Sequence, residues 1–116
     1  MQYMFLIYTD QNKEPSPDDP NFGKIMQGYF AVSEEAREKG AMVAGDALEA
    51  TDTATTVRVV DGKNQVTDGP FAETKEQLGG FYILDCKNLD EAIEYAAKIP
   101  GASYGCIEIR PIKVFD

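Results

Sequence analysis

Two short segments of this sequence, residues 3–8 and 81–84, are apolar or aromatic at odd and even positions alike. Successive side chains of a β-strand point to opposite faces of the sheet, so such a strand needs cover on both faces. We therefore predict that both segments are central strands and that they neighbour each other in one sheet.

An amphipathic helix is predicted after the first strand. Apolar residues recur at three- and four-residue steps from Phe22 to Ala36, with charged residues mostly between them. Ser16 followed by Pro17 resembles an N-cap and a first helical turn. Gly40 supplies the left-handed residue that commonly ends a helix.

A second helix is predicted from residue 88 onward. Residues 88–91, Asn-Leu-Asp-Glu, resemble a capping box with asparagine at the cap. The spacing of apolar residues predicts a buried stripe formed by Leu89, Ala92, Ile93, Ala96 and Ala97.

The remaining β-forming segments complete the topology. Residues 41–48 and 106–114 are predicted strands, and a turn at 61–64 between β-formers predicts a hairpin. Pro111 has no N–H for a strand ladder, which places the last strand at an edge. The order predicts an α+β fold, a ferredoxin-like split βαβ with an extra β-hairpin.

The two central strands also predict self-association. Two helices can cover only one face of the sheet, whereas both strands are apolar on both faces. Monomeric proteins rarely leave a large apolar patch exposed to water. We therefore predict a homodimer in which the open sheet faces of two copies meet.

Composition and charge limit the classes of protein to which this sequence can belong. The 116 residues, 43% of them hydrophobic, predict one folded domain over 1–116. A net charge of -9 disfavours direct binding to nucleic acid or to anionic lipid. The longest N-terminal apolar run is far too short to span a bilayer, so we expect a cytoplasmic protein.

The sequence contains no histidine. Serine–histidine and cysteine–histidine nucleophiles, His-ligated haem and His-bearing zinc sites are therefore excluded. We expect no metal and no cofactor, and acid–base chemistry would depend on carboxylates, lysine, tyrosine or cysteine. Cys86 and Cys106 lack the Cys-x-x-Cys spacing of redox pairs and are expected to be reduced and buried.

Residues 67–81, which include Asp68-Gly69-Pro70-Phe71, resemble the signature of the DGPF branch of the YCII-related family. Residues 54–58 and 3–8 also resemble that branch, so the similarity covers essentially the whole chain. The resemblance implies a ferredoxin-like fold that dimerises into an α/β barrel. It also implies enzyme activity, with a His–Asp pair proposed as catalytic in other branches and distant relatives among muconolactone isomerases. Because this chain lacks histidine, that pair is not carried over.

Two aspartates are the candidate catalytic residues. Asp68 follows a predicted strand and precedes Gly69-Pro70, so it either shapes a tight turn or acts as a desolvated proton carrier. Asp46 lies in an otherwise apolar strand, where it either pairs with a cation or belongs to a site.

Four further residues are candidates for substrate binding. Arg58 could bind a carboxylate substrate or form an ion pair with Asp46 or Asp68, and Lys75 could steer an anion. Tyr29 and Tyr82 are either core residues or hydroxyls that orient a ligand between the first helix and the sheet.

Three functions fit these features. The first is a cofactor-independent isomerase or lyase that acts on a small polar or carboxylated molecule by carboxylate acid–base chemistry. The second is a non-catalytic module that binds a small molecule, with a regulatory role. The third is a module that binds another protein.

Overall fold

The computed structural model describes residues 1–115, and its eight main elements follow the predicted order. Two short 3-10 turns, Thr51–Thr53 and Pro100–Ser103, lie between them. The elements are β1 (Gln2–Thr9), α1 (Phe22–Glu38), β2 (Met42–Ala47), β3 (Thr55–Val60), β4 (Lys63–Asp68), β5 (Gln77–Asp85), α2 (Leu89–Lys98) and β6 (Gly105–Pro111).

The main sheet has four antiparallel strands in the order β2-β5-β1-β6. This order confirms the split βαβ topology and the central, adjacent positions of β1 and β5. The edge position of β6 is also confirmed, and Pro111 is its last residue. Neither helix of the described chain has the length and apolar character needed to cross a membrane.

The core lies between the two helices and one face of the sheet. Burial alternates along β1, with Tyr3, Phe5 and Ile7 buried and the residues between them only half-buried. Phe5 and Leu84 are completely inaccessible, and they sit on the two central strands. The sheet face under the helices therefore forms the main hydrophobic core.

The opposite sheet face carries no helix. Met4, Leu6, Phe81 and Ile83 are half-buried on this face, where β1 and β5 pair in register. We call these four residues the open face. Its apolar character is the basis of the dimer prediction.

The start of α1 differs from its prediction. Ser16 does not cap the helix, because residues 16–19 close a turn in which the Asp19 N–H donates to the Ser16 carbonyl at 2.9 Å. The helix begins only at Phe22. Its end is as predicted, with Gly40 at φ 71°.

The predicted N-cap of α2 is confirmed, but the buried face of this helix differs from the predicted one. The Asn88 side chain accepts a hydrogen bond from the Glu91 N–H at 3.0 Å. Ala92, Tyr95 and Ala96 are buried, whereas Leu89, Ile93 and Ala97 are exposed. The predicted burial is therefore confirmed for Ala92 and Ala96 and wrong for the other three residues, and the prediction omitted the buried Tyr95.

The β3–β4 hairpin forms a separate two-stranded sheet with exposed faces. Asp61 and Gly62 both have positive φ, so the turn contains two residues instead of four. The radius of gyration is 16.2 Å, compared with about 13 Å for a compact chain of this size. The hairpin therefore projects from the body of the protein.

Candidate functional site

A cavity of about 380 Å³ lies between α1 and the sheet near the paired ends of β2 and β5. Only Val32 and Ala36, in the second half of α1, are fully buried. The first half of the helix instead contributes Phe22, Ile25 and Tyr29 to the cavity wall. The apolar stripe of α1 therefore packs into the core at one end and lines a pocket at the other.

Glycines on β2 and β5 allow neighbouring groups to pack closely in the cavity wall. A Cβ atom on Gly45 would lie 2.7 Å from the Tyr82 ring, and one on Gly80 would lie 3.0 Å from the Asp46 carbonyl oxygen. The β1–β5 register shifts between Ile7 and Tyr8, which leaves Gly79 as an extra residue in a β-bulge. Bulges commonly occur beside functional sites, and this one forms part of the cavity wall.

Hydroxyl groups in the cavity wall come from α1, from β5 and from Tyr104, which follows the second 3-10 turn. The Tyr29 and Tyr104 hydroxyl oxygens are 3.4 Å apart. The Ser33 hydroxyl donates to the Tyr82 hydroxyl at 3.3 Å. Burial and the hydrogen bond with Tyr104 raise the pKa of Tyr29. Tyr29 thus stays protonated near neutral pH, where it serves as a hydrogen-bond donor and not as a base.

The carboxylate of Glu14 also belongs to the cavity wall. Glu14 lines the wall and accepts a hydrogen bond from the Thr9 hydroxyl, which is itself buried at the end of β1. A turn fixes this segment, because the N–H of Glu14 donates to the Asp10 carbonyl at 3.2 Å. Glu14 was not predicted from the sequence, because it lies in a polar loop without periodicity or a motif.

The structure divides the candidate residues into two groups. Tyr29 and Tyr82 lie in the cavity wall. Asp46 also borders the cavity, but strand alternation directs its side chain away from the face on which Gly45 meets Tyr82. The other three candidates are exposed and do not line the cavity: Asp68, Arg58 and Lys75.

The DGPF segment closes the base of the hairpin. Gly69 has φ 101°, its N–H donates to the Ala54 carbonyl, and its carbonyl accepts from the Thr56 hydroxyl at 2.7 Å. Only glycine adopts such a φ readily. Asp68 and Arg58 belong to the separate hairpin sheet, which explains why they do not meet Asp46. The geometry of this motif is that of a turn.

The two cysteines differ in burial. Cys86 is buried as predicted, whereas Cys106 is exposed on the edge strand. Burial raises the pKa of the Cys86 thiol, and burial together with Glu76 and Glu108 raises the pKa of the Cys106 thiol. Neither thiol has the lowered pKa of a reactive nucleophile. Within residues 1–115, no three acidic or cysteine side chains group together as metal ligands would.

A second cavity, about 310 Å³, adjoins the first. The two cavities share Thr9, Glu14 and Gly79 as wall residues. The second is more polar, and it is lined by Glu49 and Gln77 as well as by Glu14. Gln77 carries the one side-chain atom within residues 1–115, Oε1, that is buried without a hydrogen-bond partner.

Fold and cavity together define a ferredoxin-like α+β protein with a pocket of small-molecule size. The chain belongs to the YCII-related family, since the model of the YCII-related domain matches residues 1–116. This match confirms the resemblance found in the sequence. An uncharacterized protein of Rhizobium meliloti (strain 1021) is 38% identical over 117 residues, which cover 99% of this chain and 94% of that protein.

One solved structure is similar at lower identity. It is 5-chloro-2-hydroxyhydroquinone dehydrochlorinase from Burkholderia phenoliruptrix AC1100 in complex with 2,5-dihydroxybenzoquinone. The two chains are 14% identical, with a TM-score of 0.48 over 97% of this chain and 94% of that chain.

Proposed function

We propose that the first cavity binds a small, uncharged molecule with an apolar body and a carbonyl group, and that Glu14 transfers a proton on it. The protein would then be an isomerase or lyase that works without a cofactor. The observation that carries this proposal is the placement of one carboxylate, Glu14, and a protonated phenol, Tyr29, on the wall of one cavity.

The proposed reaction follows from these two groups. The Glu14 carboxylate takes a proton from a carbon beside the ligand carbonyl, and the electron pair of that C–H bond moves to the carbonyl oxygen. A tyrosine hydroxyl then donates a hydrogen bond to the resulting enolate oxygen. In a ligand with a β,γ carbon–carbon double bond, return of the proton to the γ-carbon moves that double bond into conjugation with the carbonyl. In a ligand with a leaving group on the β-carbon, the enolate re-forms its carbonyl, a double bond forms between the α- and β-carbons, and the leaving group departs with the electron pair of its bond.

The lining of the cavity favours an uncharged ligand over the carboxylated one expected from the sequence. No lysine or arginine is among the described residues that line it, and Glu14 adds negative charge. Arg58 and Lys75, the cations expected to hold an anion, are elsewhere on the surface. A carboxylate inside this cavity would therefore lack a partner and would meet repulsion.

Proton exchange on a simple ketone tests the proposal. In D₂O the protein is expected to accelerate the exchange of deuterium for hydrogen on the α-carbons of 2-indanone. Proton NMR measures the rate of this exchange. Replacing Glu14 by glutamine should lower the catalysed rate by about 100-fold, since general-base catalysis contributes factors of this order. Glu94→Gln, an exposed site on α2 with the same loss of charge, is the control and should retain the wild-type rate.

The outcomes separate the two main hypotheses. Exchange that is unchanged in Glu14→Gln would reject Glu14 as the base. Binding of 2-indanone without any exchange would instead favour the non-catalytic binding module. The exposed position of Glu14 makes misfolding of the variant unexpected, and circular dichroism checks this directly.

We also propose that two copies of the chain associate through the open face. Its residues are apolar, they belong to the two central strands, and neither helix covers them. The formal charge of -9 opposes association, but the open-face residues themselves carry no charge. Pairing of two such faces would remove an apolar patch from water on each copy.

A further inference from the structure

We propose that the ligand of the first cavity is an elongated ketone, with its carbonyl inside the cavity and an apolar tail that leaves the cavity and packs against Met26 and Phe30. This inference rests on the proposed function, because it assumes that the first cavity binds a carbonyl compound. It adds one property to that ligand, an apolar group at the end opposite the carbonyl.

The apolar stripe of α1 is wider than the part that packs into the core. Val32 and Ala36 are the buried residues of this helix, and both belong to the core cluster. At about 100° per residue, Met26 and Phe30 lie roughly 120° and 160° around the helix from Val32. Met26 is 39% exposed and Phe30 is 67% exposed, although both line the cavity. Residues 1–115 therefore leave this side of the stripe largely uncovered where it borders the cavity.

The strand wall of the cavity lies at an edge of the main sheet. It includes Gly45, Asp46 and Ala47 of β2, and β2 is the outermost strand in the order β2-β5-β1-β6. Gly45 has no side chain, Ala47 has only a methyl group, and strand alternation directs the Asp46 side chain to the other face. All three residues are exposed. A ligand tail can therefore leave at this edge, between β2 and the exposed Met26 and Phe30 on α1.

The hydroxyl groups of the wall favour the opposite end of the ligand for the carbonyl. The wall residues that carry hydroxyl groups are all buried or half-buried: Thr9, Tyr29, Ser33, Tyr82 and Tyr104. The wall thus changes from hydrogen-bonding groups in its sheltered part to apolar side chains in its exposed part. A ligand with a carbonyl at one end and a hydrocarbon group at the other matches both parts. A charged tail would instead lose hydration against Met26 and Phe30.

Two ketones that differ only in the tail test the inference. Cyclohexanone and 4-phenylcyclohexanone share the ring and the carbonyl, and the second ketone adds an uncharged phenyl group opposite the carbonyl. Isothermal titration gives both dissociation constants without any turnover. We expect 4-phenylcyclohexanone to bind about tenfold more tightly, because part of the phenyl surface is removed from water against Met26 and Phe30.

Replacing Phe30 by glutamine should remove most of this advantage and leave the affinity for cyclohexanone unchanged. Glutamine is a good helix former, so α1 should tolerate it at this exposed position. Ile93→Gln is the matched control, because Ile93 is an exposed apolar residue of α2 that does not line the cavity. This variant should retain the wild-type ratio of the two affinities.

The outcomes separate the inference from its alternatives. Equal affinity of the wild type for the two ketones, or an advantage that persists in Phe30→Gln, would overturn the inference while leaving the proposed function intact. If Phe30→Gln converts a dimeric wild type into a monomer in sedimentation velocity, a second copy covers Phe30 and the inference falls.

If neither ketone binds, the inference also falls. The 2-indanone exchange experiment then decides separately whether the proposed function falls with it, because that ketone has no tail and needs only the cavity itself.

Discussion

Replacing Leu84 by alanine is expected to lower the free energy of unfolding by about 3 kcal/mol, within the range known for buried leucines. Leu84 is completely inaccessible on the central strand β5, where it packs in the cluster that contains Phe5 and Ile99. The smaller side chain would leave a cavity that the surrounding strands and helices cannot fill. Urea denaturation followed by circular dichroism, at one fixed protein concentration, measures the change.

Leu89→Ala is the matched control. It removes the same atoms from a side chain that is 51% exposed at the start of α2. We expect a loss of less than about 1 kcal/mol there, as for most surface substitutions. Equal decreases in the free energy of unfolding for Leu84→Ala and Leu89→Ala would contradict the burial of Leu84 in the core and the exposure of Leu89 on α2.

Replacing Ile83 by aspartate is expected to convert a dimer into a monomer without unfolding the chain. Ile83 is next to Leu84 in sequence but belongs to the open face. If two open faces pack together, each copy would bury an unpaired carboxylate, which costs several kcal/mol. Sedimentation velocity at micromolar concentration should show a dimer for the wild type and a monomer for Ile83→Asp.

Val57→Asp controls for the effect of adding charge to an exposed apolar position. Val57 lies on the β3–β4 hairpin, outside the open face, and its side chain is 57% exposed. This variant should remain dimeric. A monomeric wild type would reject the dimer outright, and a monomer only for Val57→Asp would place the interface on the hairpin instead.

The topology was predictable because its signals are local and repeated along the chain. Strands apolar on both faces identify β1 and β5 as central, and Pro111 marks β6 as an edge strand. The start of α1 was not predictable in the same way. Ser16 and Pro17 are favourable both at a helix start and in a tight turn, and the chain adopts the turn.

The candidate site was predicted only in part, for a physical reason. Tyr29 and Tyr82 belong to periodic segments, so their position between helix and sheet could be inferred from spacing. Glu14 reaches the cavity through a loop turn, and Gly79 through a β-bulge. Neither feature has a periodic pattern, and each depends on how β1 and β5 pair across a large sequence separation.

The DGPF motif, which carries the resemblance to the family, and the cavity occupy different parts of the molecule. Asp68-Gly69-Pro70-Phe71 closes the projecting hairpin, whereas the cavity lies beneath the first half of α1. The strongest sequence signal thus identified the family and described a turn. The polar groups that support a function were found only from the arrangement of side chains around the cavity.

We predict that small molecules bind in the cavity between α1 and the sheet and not at the hairpin. Titration of ¹⁵N-labelled protein with 4-ethylphenol, followed by amide chemical shifts, tests it directly. We predict shifts at Tyr29, Gly45, Gly79 and Tyr82, with Arg58 and Asp68 unchanged. Shifts confined to the hairpin, or no shifts at millimolar ligand, would contradict the account.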